Sequence, residues 1–107
     1  MPQSTRYQIG FAPETVDHLD AIDRKYHRLI AKTLDAQLVY SPERETRNRK
    51  PIEQPAPFDV TWELRFGPRN CFRAFYEVDN GTRTVWILAI GVKERNRLFV
   101  GGQEFEQ

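Results

Sequence analysis

TWELRFGPRNCFRAFYEVD, residues Thr61–Asp79, decides the fold. Trp62, Leu64 and Phe66, with Val60 just ahead of them, alternate with Thr61, Glu63 and Arg65. A period of two places one set on the core face of a strand and the other on its reverse face. Gly67–Asn70 supplies a turn. Phe72, Ala74, Tyr76 and Val78 then repeat the pattern, with Arg73, Phe75 and Glu77 opposite. The stretch predicts an antiparallel hairpin, and pairing across its turn brings Glu63 near Arg73 on the reverse face.

Working outward, Asp79, Asn80 and Gly81 form a second strong turn signal. Val85–Val92 is apolar on both faces, which predicts a central strand covered on two sides. Lys93–Arg97 is charged, Leu98–Val100 is a short apolar return, and residues 93–107 read as a C-terminal tail. Toward the N-terminus, residues 41–57 carry prolines and charges and read as a long basic loop, since the residue before Pro42 is pushed out of helical geometry. Ahead of it, Tyr26, Leu29, Ile30, Thr33, Leu34 and Leu38 recur at helical spacing, and Val16, Leu19 and Ile22 form a shorter stripe. Pro13 opens this region with Glu14 at the positive end of the helix dipole. Tyr7, Ile9 and Phe11 alternate as a first strand. The order β-α-α-β-β-β predicts an α+β domain over residues 1–107, with an N-terminal helical hairpin packed on a small, mainly antiparallel four-stranded sheet.

At 107 residues the chain suffices for one core. The longest apolar run, Val85–Val92, is far short of the roughly 20 residues a membrane helix needs. The polar start Met1–Arg6 lacks the apolar stretch of a secretory leader. Cys71 is the one cysteine, so no intrachain disulfide forms and a reducing, cytoplasmic setting is expected. Net charge is only +1, but eleven Lys and Arg against eight Asp and Glu between Glu43 and Arg97 predict a modest basic lobe.

Within that lobe, Glu63, Arg65 and Arg73 fit either a cross-strand ion pair worth under about 1 kcal/mol or a phosphate site. Arg47, Arg49 and Lys50 fit either a solvated loop or bidentate phosphate contacts. Lys93, Arg95 and Arg97 alternate, and in an extended segment they would share one face as a phosphate rail. His18 and His27 are too isolated for a metal pair. Trp62 and Trp86 read as core, and Cys71 has no paired base to make it a nucleophile.

Trp62–Gly67 (WELRFG), Phe72–Asp79 (FRAFYEVD) and Val85–Lys93 (VWILAIGVK) resemble, in order and spacing, the central sheet of the RelE/ParE superfamily of toxins. Tyr7–Glu14 (YQIGFAPE) is similar to the family's first strand and helix start, so the resemblance runs from about Tyr7 to Phe99. It implies the toxin of a type II toxin–antitoxin system, held inactive by a cognate antitoxin. In RNA-cleaving members it implies a ribosome-dependent mRNA interferase, with no metal or cofactor, attacking through a ribose 2′-hydroxyl. Arg73 matches the hairpin arginine that clamps phosphate, and Lys93 a second basic residue after the last core strand. Phe99 falls where several relatives keep tyrosine or histidine; it can stack on a base but not move a proton. Thr61 and Glu63 stand where the RelE pattern has lysines, and a carboxylate there is a candidate general base. The implied catalytic set is Arg73, Lys93, Glu63 and Arg65; the implied nucleic-acid contacts are Arg47, Arg49, Lys50, Arg95, Arg97 and Phe99. The alternatives are a ParE-like toxin that inhibits DNA gyrase without cleaving RNA, or a degenerate member acting only by protein binding.

Overall fold

Trp62 faces Tyr76 and Phe66 faces Phe72 across the hairpin that organises the sheet. The computed structural model describes residues 6–53 and 62–105, so Val60, Thr61 and the end of the proline-rich segment lie outside the described residues. In chain order the elements are β1 (Gln8–Phe11), α1 (Thr15–Asp20), a 3-10 turn (Arg24–Tyr26) and α2 (His27–Leu38). There follow β2 (Arg49–Pro51), β3 (Trp62–Phe66), β4 (Phe72–Asp79), β5 (Thr84–Glu94), β6 (Arg97–Val100) and β7 (Gln103–Phe105).

The fold is α+β, but among the described residues its sheet has seven strands rather than four, in the order β2-β3-β4-β5-β6-β7, with β1 parallel to β5. Each extra strand has a local reason. β2 lies inside the segment expected to be all loop; the tight Thr46–Arg49 turn folds Arg49–Pro51 back along β3. Residues 93–105 are not a tail. β5 runs on to Glu94, turns through Arg95 and Asn96, and returns as β6; Gly101 and Gly102 then reverse the chain into β7. Both turns place two consecutive residues at positive φ, the backbone that matches the twist of a two-residue hairpin.

The expected helical hairpin is not confirmed. α1 spans six residues and packs on β5, while twelve-residue α2 lies separately along the sheet. Pro13 and Glu14 form a lead-in turn, so α1 starts at Thr15, whose hydroxyl donates to the Ala12 carbonyl at 2.6 Å. His27 Nε2 lies 2.7 Å from the Leu19 carbonyl and 2.9 Å from that of Ile22, tying down the break between the helices.

The main core lies under the helices. Ile22, Ile30, Leu34 and Leu38 meet Leu64, Phe66, Phe72, Ala74, Tyr76, Val85, Ile87 and Ile90. Fully buried aromatic and branched side chains each contribute about 1.5–3 kcal/mol. Trp62 stacks on Tyr76 at 6.2 Å, as its parity requires. Val16, placed by its spacing on the apolar stripe, is instead 62% exposed.

Strand β5 explains its own two-sided apolarity. The register shifts between Phe75 and Tyr76 of β4, leaving Leu88 as an extra residue between Ile87 and Ala89. Before this bulge the odd residues Val85 and Ile87 face the helices; after it, the even residues Ile90 and Val92 do. The reverse face has a small core of its own, Phe75, Ala89, Leu98 and Val100, flanked by Ile52, Leu88 and Phe105. Trp86, expected in the core, is on this reverse face and 38% exposed. Its ring lies so close over Gly10 that an added Cβ there would meet it at 2.5 Å.

Candidate nucleic-acid interface

Strand pairing decides which charged side chains can act together. Lys50 of β2 lies opposite Glu63 of β3, Glu63 opposite Phe75, and Arg65 opposite Arg73 of β4. Arg73 in turn faces Gly91 of β5, two residues before Lys93. Directly opposed residues share a face, so Lys50, Glu63, Arg65, Arg73 and Lys93 all belong to the reverse face, beside its small apolar core.

Two arginines directly opposite one another repel, and Glu63 resolves this. Its carboxylate takes Arg65 Nε at 3.3 Å through Oε1 and Arg73 Nε at 3.6 Å through Oε2. Arg73 is only 7% exposed. Its Nη1 donates to the Asn70 carbonyl, and also to that of Phe72 at 3.3 Å. Burial pulls its pKa below the ordinary arginine value, Glu63 pushes it back up, and Arg65 pulls it down. It remains a cation at neutral pH. The turn carbonyls and Glu63 thus fix Arg73 as a preset donor, while Arg65, Lys50 and Lys93 reach further toward solvent.

The structure separates the remaining candidates from this cluster. Arg49 is a neighbour of Lys50 in sequence but points to the helical face, paired with Leu64, and is 5% exposed. Its guanidinium donates to the carbonyls of Ser41, Arg44 (3.1 Å) and Gln37 (2.6 Å), and to Gln37 Oε1 at 3.2 Å. A cation placed on the Gln37 carbonyl at the end of α2 and on two carbonyls of the loop after it leaves Arg49 no fork to offer a phosphate. Arg47 is exposed at the tip of the Thr46–Arg49 turn.

The proposed rail Lys93, Arg95 and Arg97 does not exist as one face. Arg95 stands in a turn at φ 50°, and Arg97 pairs opposite Glu94, so only Lys93 faces the Arg73 side. Arg97 contacts Glu104 at 3.9 Å across exposed surface. Phe99 pairs with Val92 on the helical side and lines clefts there with Glu94 and Arg97, away from Arg73.

Sequence parity was enough to place Glu63, Arg65 and Arg73 on one face. It missed that Arg49 is structural, although the alternation Arg49/Lys50 on a short strand carried that signal. His18, set aside in the sequence as too isolated for a metal pair, bonds to the β5 backbone, and no sequence signal marks it. Burial pushes the Cys71 thiol up, away from the reactive thiolate. Among the described residues no cluster of His, Cys, Asp and Glu suits a metal ion, and no helix is long and apolar enough to cross a membrane.

No family model and no curated protein matches the chain. Among solved structures, one chain of the toxin–antitoxin complex RelBE2 from Mycobacterium tuberculosis has a similar fold, with a TM-score of 0.68. The match covers 87% of this chain and 98% of that one at 19% sequence identity. The likeness is one of fold, and it agrees with the fold implied by the RelE/ParE resemblance.

Proposed function

We propose that the chain is the toxin of a toxin–antitoxin pair, acting in the cytoplasm as a ribosome-dependent mRNA interferase through the face that bears Arg73. The observation that carries this reading is four cations on one sheet face, Lys50, Arg65, Arg73 and Lys93, with the Glu63 carboxylate opposite Lys50 and bridging Arg65 and Arg73. An RNA phosphate entering there competes with Glu63 for the two guanidinium groups. Arg73 and Arg65 then hold the phosphate, and the released carboxylate takes the proton of the adjacent 2′-hydroxyl. The 2′-oxygen bonds to phosphorus, the bond to the 5′-oxygen breaks, and Lys93 returns a proton to that leaving oxygen. The products are a 2′,3′-cyclic phosphate and a 5′-hydroxyl. Lys50 and exposed Arg47 bind flanking phosphates, and a cognate antitoxin silences the protein by covering this surface.

Induced expression followed by mapping of new mRNA 5′ ends tests the proposal, alongside cleavage on purified programmed ribosomes. Arg73→Ala is expected to lower the cleavage rate by about 10²–10³, the usual cost of removing one charge-stabilising donor. Cleavage that survives Arg73→Ala and Lys93→Ala undiminished would remove the assignment.

A second reading, inhibition of DNA gyrase without RNA cleavage, is favoured by the near-complete enclosure of Arg73 and by Phe99 lying on the other side of the sheet. A supercoiling assay with purified gyrase distinguishes the two.

A further inference from the structure

The outer edge of β5 changes partner along its length. β1 accompanies it as far as Ile87, whose carbonyl accepts from Ala12 N–H at 2.9 Å. β6 takes over at Gly91, opposite Val100. Ile90 sits at the junction, fully buried, with its N–H aimed away from β4. A buried N–H without an acceptor costs about 1–3 kcal/mol. The acceptor here is a side chain: Ile90 N–H donates to His18 Nδ1 of α1 at 3.3 Å. This bond requires that Nδ1 carry no proton, so the ring is neutral with its hydrogen on Nε2.

The same ring lines a cleft that reaches the far end of the sheet. A Cβ added to Gly101, in the turn between β6 and β7, would stand 3.4 Å from His18 Cδ2. His18, Ala21, Ile22, Ile90, Phe99 and Gly101 share a cleft of about 180 Å³ where α1 meets this hairpin. One imidazole therefore bonds α1 to the bulged stretch of β5 and lines the cleft beneath the β6–β7 turn.

We propose that His18 is a pH-operated latch: neutral, it locks α1 to β5 where β1 gives way to β6, and protonated, it releases that junction and loosens the β6–β7 hairpin. The charged groups facing it are Glu14 and Asp17 on its own helix and Glu94 of β5 in the shared cleft; the lining from β6 and the following turn, Phe99, Gly101 and Gly102, is uncharged. Burial favours the neutral ring and outweighs Glu14 and Asp17, which favour the charged one, so the pKa lies below the ordinary histidine value. The sign follows from linkage. The latch is fully closed above the free-histidine pKa of about 6.5 and weakens as pH falls toward the folded-state pKa. Over that interval the opening constant rises by at most about tenfold per pH unit, then levels off. The latch is independent of the role proposed for Arg73.

Amide hydrogen exchange and ¹⁵N NMR on the full chain test it between about pH 7.5 and 5.5, a window that spans the free-histidine pKa. Protection factors, corrected for intrinsic exchange, are expected to fall up to about tenfold at Ile90 and Val100 as His18 titrates, and to stay level at Leu64 and Ala74. Ring ¹⁵N shifts are expected to show the Nε2–H tautomer at the upper pH. His18→Asn, whose Oδ1 stands near the place of Nδ1 but does not titrate, is expected to keep Ile90 protected throughout. An Nδ1–H tautomer overturns the proposal, as does Ile90 protection that ignores the titration of His18. If His18→Asn loses protection in parallel with the parent, the latch is likewise excluded. Should that variant fail to fold, the parent's titration and ring shifts decide the matter alone.

Discussion

Arg49 and Arg47 stand two residues apart in one basic cluster, and their surroundings give them opposite work. Arg49 satisfies carbonyls at the end of α2 and in the loop after it, and it shares that corner with Tyr76, whose hydroxyl donates to the Pro42 carbonyl at 2.6 Å. Burial drives the Tyr76 hydroxyl well above the ordinary tyrosine range, with Arg49 opposing and Glu43 assisting, so it stays a donor. Arg49→Met is expected to cost about 3 kcal/mol in urea denaturation, because the helix-end and loop carbonyls lose a charged donor that is itself enclosed. Arg47→Ala is expected to stay within about 0.5 kcal/mol, as an exposed turn residue should. Equal costs for the two would contradict the anchoring role of Arg49. At the reverse face, Glu63→Gln leaves Arg65 opposite Arg73 without the carboxylate between them. A loss of about 1–2 kcal/mol is expected, largely recovered when Arg73 is also replaced by Gln; a double-mutant cycle on melting free energies measures the coupling.

Among the elements, the turn between β5 and β6 carries local backbone strain. Arg95 and Asn96 occupy φ 50° and 71°, a conformation that favours Asn-Gly. Replacing the pair by Asn-Gly is expected to raise stability by about 0.5–1 kcal/mol, read from the melting midpoint, since the left-handed residues then carry less steric cost. A fall in stability would show that the Arg95 side chain matters more than its backbone. β3 and β4 were legible because each alternates cleanly, and parity alone placed Arg73 and Glu63 on one face. β5 was legible as a central strand, but not its bulge: every residue of VWILAIGV suits a buried face, so nothing marks Leu88 as the extra one. β2 is charged and ends in Pro51, so its strand character comes from pairing with β3 rather than from its own pattern. The alternation of Leu98 and Val100 before two glycines did carry the β6–β7 hairpin, hidden by the charged run ahead of it. Those two missed elements decided the site's limits, for they fix Arg49 on one face and Phe99 on the same one.

For the whole molecule, the charge balance constrains how any polyanion is bound. A net charge of +1 gives almost no long-range attraction, so affinity must come from local contacts on the reverse face. Lys50, Arg65 and Lys93 surround the enclosed Arg73 there, whereas Arg97 and Phe99 face the helical side beside Glu94 and Glu104. The two faces therefore make different predictions for salt dependence. Each lysine that contacts a phosphate of single-stranded RNA should contribute about 0.7 to the slope of log K against log salt. Binding of a fluorescent single-stranded RNA, measured over a salt series, should lose that increment in Lys50→Gln and again in Lys93→Gln. Arg97→Gln should leave the slope unchanged while costing little stability, because its ion pair is exposed. If Arg97→Gln flattens the slope and Lys50→Gln does not, the polyanion runs over the helical face, and the chemistry assigned to Glu63 and Arg73 loses its substrate.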